Sequence, residues 1–191
     1  SGAGSTPAEA RYMYFSHRDY CASSIWQMNA DTGASAGISS CWYYLQQTQV
    51  GSYARALSPV TLLSPNFDIS VQTMLETGSD TKFGMSFNVQ TNSNRYVLMV
   101  NPQTQEWSVY RYYNNVWTKL EGGISAYLNS TGVNWLRVKR NGNTIEIFIN
   151  GNSVKTFTLS GTILTGGRAG VEVWTYSSVP AKVNFIDFYY H

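Results

Sequence analysis

Apolar and polar residues alternate in this sequence from residue 67 onward, and this alternation limits the possible folds more than any other feature. Phe67, Ile69 and Val71 are separated by single polar residues, and the segment 83–90 repeats the pattern. Successive side chains of a β-strand point to opposite faces of a sheet. The pattern therefore predicts β-strands with one apolar and one polar face.

Turn residues divide this alternating region into short strands. Asn141-Gly142 and Asn150-Gly151 each follow an apolar alternating run, and Asn-Gly is a strong signal for a two-residue hairpin turn. The predicted strands cover residues 67–76, 83–90, 95–100, 106–113, 116–120, 135–140, 144–149, a segment after 151, 169–175 and 183–189. No stretch has a capped apolar stripe of helical period, so little helix is expected. Strands with one apolar face must bury it, which predicts an all-β sandwich or barrel.

Composition narrows the class of protein and of partner. Hydrophobic residues make up 43% of the 191 residues and charged residues 13%, with a net charge of +2. This balance excludes intrinsic disorder. The basic residues are scattered apart from Arg137, Lys139 and Arg140, so a nucleic-acid partner is not expected. No apolar run approaches the roughly 20 residues that a membrane span needs.

A series of motifs from about residue 52 to the end resembles a known family. They are Tyr53 to Pro59, Phe83-Gly-Met-Ser-Phe87, Asn94-Arg-Tyr-Val-Leu98, Trp107-Ser-Val-Tyr-Arg-Tyr112, Asn115-Val-Trp-Thr118, Asn134-Trp-Leu-Arg-Val138, Ile147-Phe-Ile-Asn-Gly151, Arg168-Ala-Gly-Val171 and Phe185-Ile-Asp-Phe188. The family is a bacterial group of secreted, concanavalin A-like and laminin-G-like sandwich domains, related to sugar-hydrolase-like domains of unknown function. The resemblance implies a two-sheet antiparallel jelly roll, but it marks packing and turns and no chemistry.

The expected organisation is a flexible linker over residues 1–10 and a single β-sandwich domain over 11–191. Within that domain, 51–191 form the family-like core and 11–50 a divergent N-terminal hairpin segment. Residues 11–33 also look like one blade of a periplasmic β-propeller repeat. One blade cannot form a propeller, so either a hairpin lies on the sandwich or the chain comes from a longer, propeller-containing protein.

Cys21 and Cys41 are the two cysteines of the chain. A disulfide between them is expected and would contribute roughly 3 kcal/mol, with two buried free thiols as the alternative. A cysteine metal site is not expected, because His17 is the single nearby histidine. The disulfide and the family resemblance together predict an extracellular or cell-surface location.

The sequence predicts no catalytic activity. The Glu-x-Asp-x-Glu strand pattern of laminarinase-type enzymes is absent, since no two acidic residues lie two positions apart. Glu146 and Glu172 are the carboxylates to check for a glycosidase pair. His17 and His191 are poorly placed for a serine triad. No cofactor is expected, although calcium is a secondary hypothesis with Asp80 or Asp187 as a ligand.

Aromatic residues indicate ligand binding instead. The chain has 14 tyrosines and 6 tryptophans, whose rings stack on sugar faces. The hypothesised site is a concave sheet lined by Tyr110, Tyr112, Trp174, Tyr176, Gln72, Asn88 and Arg95. The leading function is binding of a glycan or cell-surface polysaccharide. The alternatives are a protein-binding or structural adhesin module and a glycoside hydrolase-like enzyme.

Overall fold

The computed structural model describes residues 12–15, 26–62 and 64–190, and every regular element in these ranges is a β-strand. The strands are β1 Tyr12–Phe15, β2 Gln27–Ala30, β3 Ala34–Ser39, β4 Trp42–Gln47, β5 Tyr53–Thr61, β6 Phe67–Thr77, β7 Thr81–Thr91, β8 Asn94–Asn101, β9 Glu106–Tyr113, β10 Val116–Ile124, β11 Val133–Asn141, β12 Thr144–Ile149, β13 Asn152–Thr158, β14 Arg168–Thr175 and β15 Ala181–Tyr190. Each strand predicted after residue 67 is present, with ends that differ by a few residues.

The strands form two antiparallel sheets. Sheet A has the order β13-β12-β11-β6-β15-β4-β3, and β1 also pairs with β15. Sheet B has the order β10-β9-β8-β7-β14-β5-β2. The predicted all-β, two-sheet antiparallel sandwich is confirmed.

The apolar faces of both sheets meet in one core. Phe83, Met85 and Phe87 of sheet B are fully buried, as are Ile145 and Ile147 of sheet A. These residues are spaced by two along their strands, so the residues between them lie on the outer faces of the sandwich.

Tight turns connect neighbouring strands where the sequence predicts them. Asn114 and Asn115 join β9 to β10 with positive φ angles of 49° and 63°. Asn150 and Gly151 join β12 to β13 with φ angles of 50° and 82°. Two successive positive φ angles are typical of the type I′ turn, which asparagine and glycine tolerate best.

The segment before residue 51 supplies strands to both sheets. The hairpin β3–β4 extends sheet A beside β15, whereas β2 pairs with β5 at the edge of sheet B. This part of the chain therefore completes the sandwich and is more than a hairpin laid upon it. Cys21 and His17 lie outside the described residues, so the predicted disulfide to Cys41 stays a prediction. In the described ranges no helix is long and apolar enough to cross a membrane.

Candidate functional site

Alternate residues of five of the seven strands of sheet B place aromatic and charged side chains on its outer face. On β5, Ala54 and Ala56 face the core, which directs Tyr53 and Arg55 outward. The same alternation holds on β8, β14 and β9. On β10, the outward side chains are those paired with outward residues of β9. The side chains brought to this face are Tyr53 and Arg55 of β5, Arg95 of β8, Tyr110 and Tyr112 of β9, Trp117 of β10, and Glu172 and Trp174 of β14.

Five of these residues form a continuous aromatic cluster: Tyr53, Trp174, Trp117, Tyr112 and Tyr110. The Tyr53 and Trp174 rings stack with centroids 5.1 Å apart, and Trp174 meets Trp117 edge-on at 5.4 Å. Trp117 stacks on Tyr112 at 4.4 Å and meets Tyr110 edge-on at 5.9 Å. These separations lie in the range of favourable ring–ring contacts. The aromatic cluster thus crosses the sheet from β5 to β10.

A groove of about 310 Å³ opens beside the aromatic cluster. It is lined by Gly51, Met99, Tyr110, Trp117, Trp174, Thr175 and Tyr176. Trp117 is 39% exposed and Tyr176 46% exposed, so both side chains are accessible from solvent. The groove has the apolar lining and polar ring tips that are typical of small-ligand sites.

A buried ion pair lies beneath the rings. Arg95 Nη2 donates to Glu172 Oε1 at 2.8 Å and Nε to Oε2 at 3.3 Å, and both side chains are almost fully buried. The Arg95 guanidinium carbon is 4.8 Å from the Tyr112 ring centroid and 5.1 Å from that of Trp117. Trp174 Nε1 also donates to Glu172 Oε1, at 3.0 Å. One bidentate pair therefore orients three rings of the aromatic cluster.

Arg55 adds a second buried cation next to this pair. It is the direct cross-strand neighbour of Glu172 and is fully buried. Its Nη2 donates to Asn92 Oδ1 at 3.0 Å and to Asn29 Oδ1 at 3.3 Å, whereas Nε and Nη1 have no hydrogen-bond partner among the described residues. Burial lowers the pKa of the Arg55 guanidinium, and nearby Glu172 raises it. We call Arg55, Arg95 and Glu172 the ionic cluster.

The structure brings together five of the seven residues hypothesised to bind a ligand. Arg95, Tyr110, Tyr112 and Trp174 share the outer face of sheet B, and Tyr176 lines the groove beside them. Because β14 ends at Thr175, Tyr176 contributes from the connection that follows the strand.

Gln72 and Asn88 do not join this group, so the prediction that they line the same surface is wrong. Gln72 lies on β6 of sheet A, where its Nε2 donates to Asp187 Oδ2 at 3.1 Å. Asn88 is fully buried, with a φ of 49° at a register shift between β7 and β8. Its amide donates to the Gly166 carbonyl and its oxygen accepts from Arg140.

Tyr53, Arg55 and Trp117 also belong to this face, although they are not among the residues predicted to bind a ligand. Trp117 pairs with Tyr112 across β9 and β10, and directly paired residues share a face. The alternation of Tyr53 and Arg55 with alanines was the signal that could have placed them on the outer face of their strand.

The carboxylates singled out from the sequence are dispersed in the fold. Glu146 lies on β12 of sheet A and accepts a hydrogen bond from Ser153, so it does not meet Glu172 of sheet B. Asp80 accepts from Ser177, and Asp187 from Gln72. Within the described part of the chain, no three His, Cys, Asp or Glu residues are grouped as metal ligands would be. The calcium hypothesis stays untested.

Solved structures share this fold at low sequence identity. The carbohydrate-binding module CBM66 from Bacillus subtilis superposes with a TM-score of 0.66 at 14% identity, covering 85% of this chain and 92% of that one. A native glycosidic hydrolase reaches a TM-score of 0.70 at 12% identity, covering 98% of both chains. The β-glucanase of Bacillus licheniformis reaches 0.65 at 12% identity, covering 94% of this chain and 96% of that one. No family model and no curated protein matches the sequence.

These similarities confirm the concanavalin-like jelly roll and correct one prediction. The expectation that the chain is not an enzyme is wrong as drawn from the sequence, because a glycosidic hydrolase and a β-glucanase share this fold as closely as a binding module does. The absence of the Glu-x-Asp-x-Glu pattern excludes only the laminarinase-type arrangement of catalytic carboxylates. The same fold is found in binding modules and in hydrolases.

Proposed function

We propose that the chain binds carbohydrate in the groove on the outer face of sheet B. The observation that carries the proposal is the aromatic cluster, whose Trp117 ring is exposed at the groove together with Tyr176. The apolar C–H faces of a sugar ring stack on such aromatic surfaces. Tyr110 and Tyr176 also line the groove, and a phenol hydroxyl can donate to and accept from sugar hydroxyls.

The ionic cluster supports binding by holding the rings in place before the ligand arrives. Glu172 accepts from both Arg95 and the Trp174 indole, and Arg95 lies against Trp117. Side chains that are already ordered lose little conformational entropy on binding. Glu172 and Arg95 act here as positioning residues, because they are buried below the rings.

The similarity in fold to a carbohydrate-binding module agrees with this proposal, as does the similarity to two sugar-cleaving proteins. The ligand class that we propose for this chain, carbohydrate, is the class to which the names of all three proteins refer. Whether the bound glycan is also cleaved is decided in the same experiment, by measuring reducing ends after long incubation with each glycan that binds.

The test is a glycan-array screen of the purified chain, followed by calorimetric titration of the glycans that bind. Trp117→Ala is expected to weaken binding at least about fivefold, since one stacked ring contributes about 1–3 kcal/mol. Trp135→Ala is the matched control, because Trp135 is 40% exposed but lies on β11 of sheet A. A blank array, or equal loss in both variants, would overturn the proposal, and a blank array would favour a protein partner.

We also propose that the chain acts outside the cell or on its surface. A disulfide between Cys21 and Cys41 would suit an oxidising compartment. The intact mass measured without reductant is expected to be lower, by two hydrogens, than the mass after reduction. Equal masses would count against this location.

A further inference from the structure

Cationic side chains outnumber carboxylates on the outer face of sheet B. The cations there are Arg55, Lys82, Arg95, Lys119 and Arg168, and the carboxylates on this face or at its border are Asp31, Asp80, Glu106 and Glu172. The chain as a whole has a net charge of only +2. A small excess of positive charge therefore lies on the face that carries the groove.

A second cavity of about 270 Å³ adjoins the groove and shares Tyr110 with it. Lys82, Lys119 and Glu106 line this cavity, which we call the lysine compartment. The nearest described carboxylate to Lys82 Nζ is that of Glu106, at 4.0 Å, and Lys82 also lies 5.4 Å from the Tyr176 ring centroid. Lys119 is exposed and forms no ion pair with the described residues.

The ionic cluster strengthens the positive field from below. Glu172 can neutralise only one of the two buried guanidinium groups, and it is bound bidentately by Arg95. Arg55 retains two buried donor groups, Nε and Nη1, that no residue in the described part of the chain satisfies. A buried, incompletely compensated charge is weakly screened, and clefts focus such fields on an approaching ligand.

We propose that the glycan bound in the groove is anionic, an inference that rests on the carbohydrate-binding function proposed above. A sugar ring stacks on the aromatic cluster, and a carboxylate or sulfate of the same or the neighbouring sugar lies between Lys82 and Lys119. The shared wall at Tyr110 makes the two contacts available to one ligand. Both anions accept the ammonium hydrogen bonds that the two lysines donate.

Matched ligand pairs test this inference by titration at low and at high ionic strength. Polygalacturonate is compared with its methyl ester, and dextran sulfate with dextran. We expect an anionic polymer to bind more tightly than its neutral counterpart and to weaken as salt is added. Preference for polygalacturonate would identify a carboxylate ligand, and preference for dextran sulfate a sulfated one.

Variants separate specific recognition from general attraction between opposite charges. Lys82→Gln and Lys119→Gln are each expected to lower affinity for the anionic polymer about fivefold, the upper end for an exposed charge pair. Lys139→Gln removes the same charge from an exposed position on sheet A and should leave affinity unchanged. Equal loss in all three variants would overturn the inference.

The two proposals fail in different ways. If neutral and anionic polymers bind equally well and Trp117→Ala weakens both, carbohydrate binding stands and the anionic inference is refuted. If no glycan binds, both proposals are refuted. Binding of the anionic polymers that persists in Trp117→Ala would also refute both, because it would bypass the aromatic cluster.

Discussion

At the scale of single residues, Glu172 is the carboxylate on which the site is built. It is fully buried and accepts from Arg95 and Trp174, and Arg55 is its cross-strand neighbour. Its loss would leave two guanidinium groups buried without a counter-charge. Removing one partner costs more stability in a buried ion pair than in an exposed one, because water cannot replace the missing partner.

We therefore predict that Glu172→Gln lowers the free energy of unfolding by about 3 kcal/mol, which is typical when one partner of a buried pair is removed. Urea denaturation measures the change. Glu146→Gln is the control, since Glu146 lies on the outer face of sheet A and bonds to an exposed serine. A loss below about 1 kcal/mol in Glu172→Gln would show that the ionic cluster does not depend on this charge.

The buried phenol of Tyr43 is expected to make the protein less stable at alkaline pH. Burial raises its pKa to about 12, so the unfolded chain ionises this phenol first as the pH rises above 10. The contribution of the neutral phenol to the free energy of unfolding is fully present below pH 10. It falls by about 2 kcal/mol towards pH 12. Denaturant titrations across this window should show a smaller fall in Tyr43→Phe. An identical fall in both proteins would assign the effect to other tyrosines.

At the scale of strands, two glycines allow the central strands of sheet B to pack closely. A Cβ on Gly84 would lie 2.1 Å from the Leu98 carbonyl oxygen, and one on Gly170 would lie 2.3 Å from that of Ala56. Both distances are far below van der Waals contact with backbone atoms. The strands β7 and β14, which carry the floor of the site, thus cannot accept a larger residue at these positions.

Gly84→Ala is predicted to destabilise the chain by about 2–3 kcal/mol in thermal or urea unfolding, through backbone displacement. Gly123→Ala is the matched control on β10, where the nearest atom to a new Cβ is 3.7 Å away. Similar stability of the two variants would contradict the close packing of β7 against β8.

The sequence predicted strands and turns better than it predicted the site. Period-two alternation indicates which residues of one strand share a face, but it does not indicate the sheet to which the strand belongs. The polar position of Gln72 on its strand therefore does not reveal that β6 lies in sheet A, away from the other predicted site residues. Asn88 falls at a register shift, where Phe87, Asn88 and Val89 are all buried and the alternation stops. Arg95 and Glu172 are 77 positions apart, so no local pattern could pair them.

At the scale of the whole molecule, the two outer faces of the sandwich differ in chemistry. Sheet B carries the aromatic cluster, the ionic cluster and the lysine compartment. Sheet A also exposes a tryptophan, Trp135, and has Arg137 packed over the Phe148 ring and paired with Asp68. Exposed aromatic area alone therefore does not select a face. The continuous rings and the excess of positive charge on sheet B are what favour that face.

The most direct test of the central claim observes both faces at once. The indole N–H resonances of the six tryptophans are followed by NMR while the tightest-binding glycan of the array is added. Binding on sheet B predicts shifts at Trp117 and Trp174 and none at Trp135. Shifts confined to Trp135, with Trp117 and Trp174 unchanged at saturation, would place the ligand on sheet A and contradict the account.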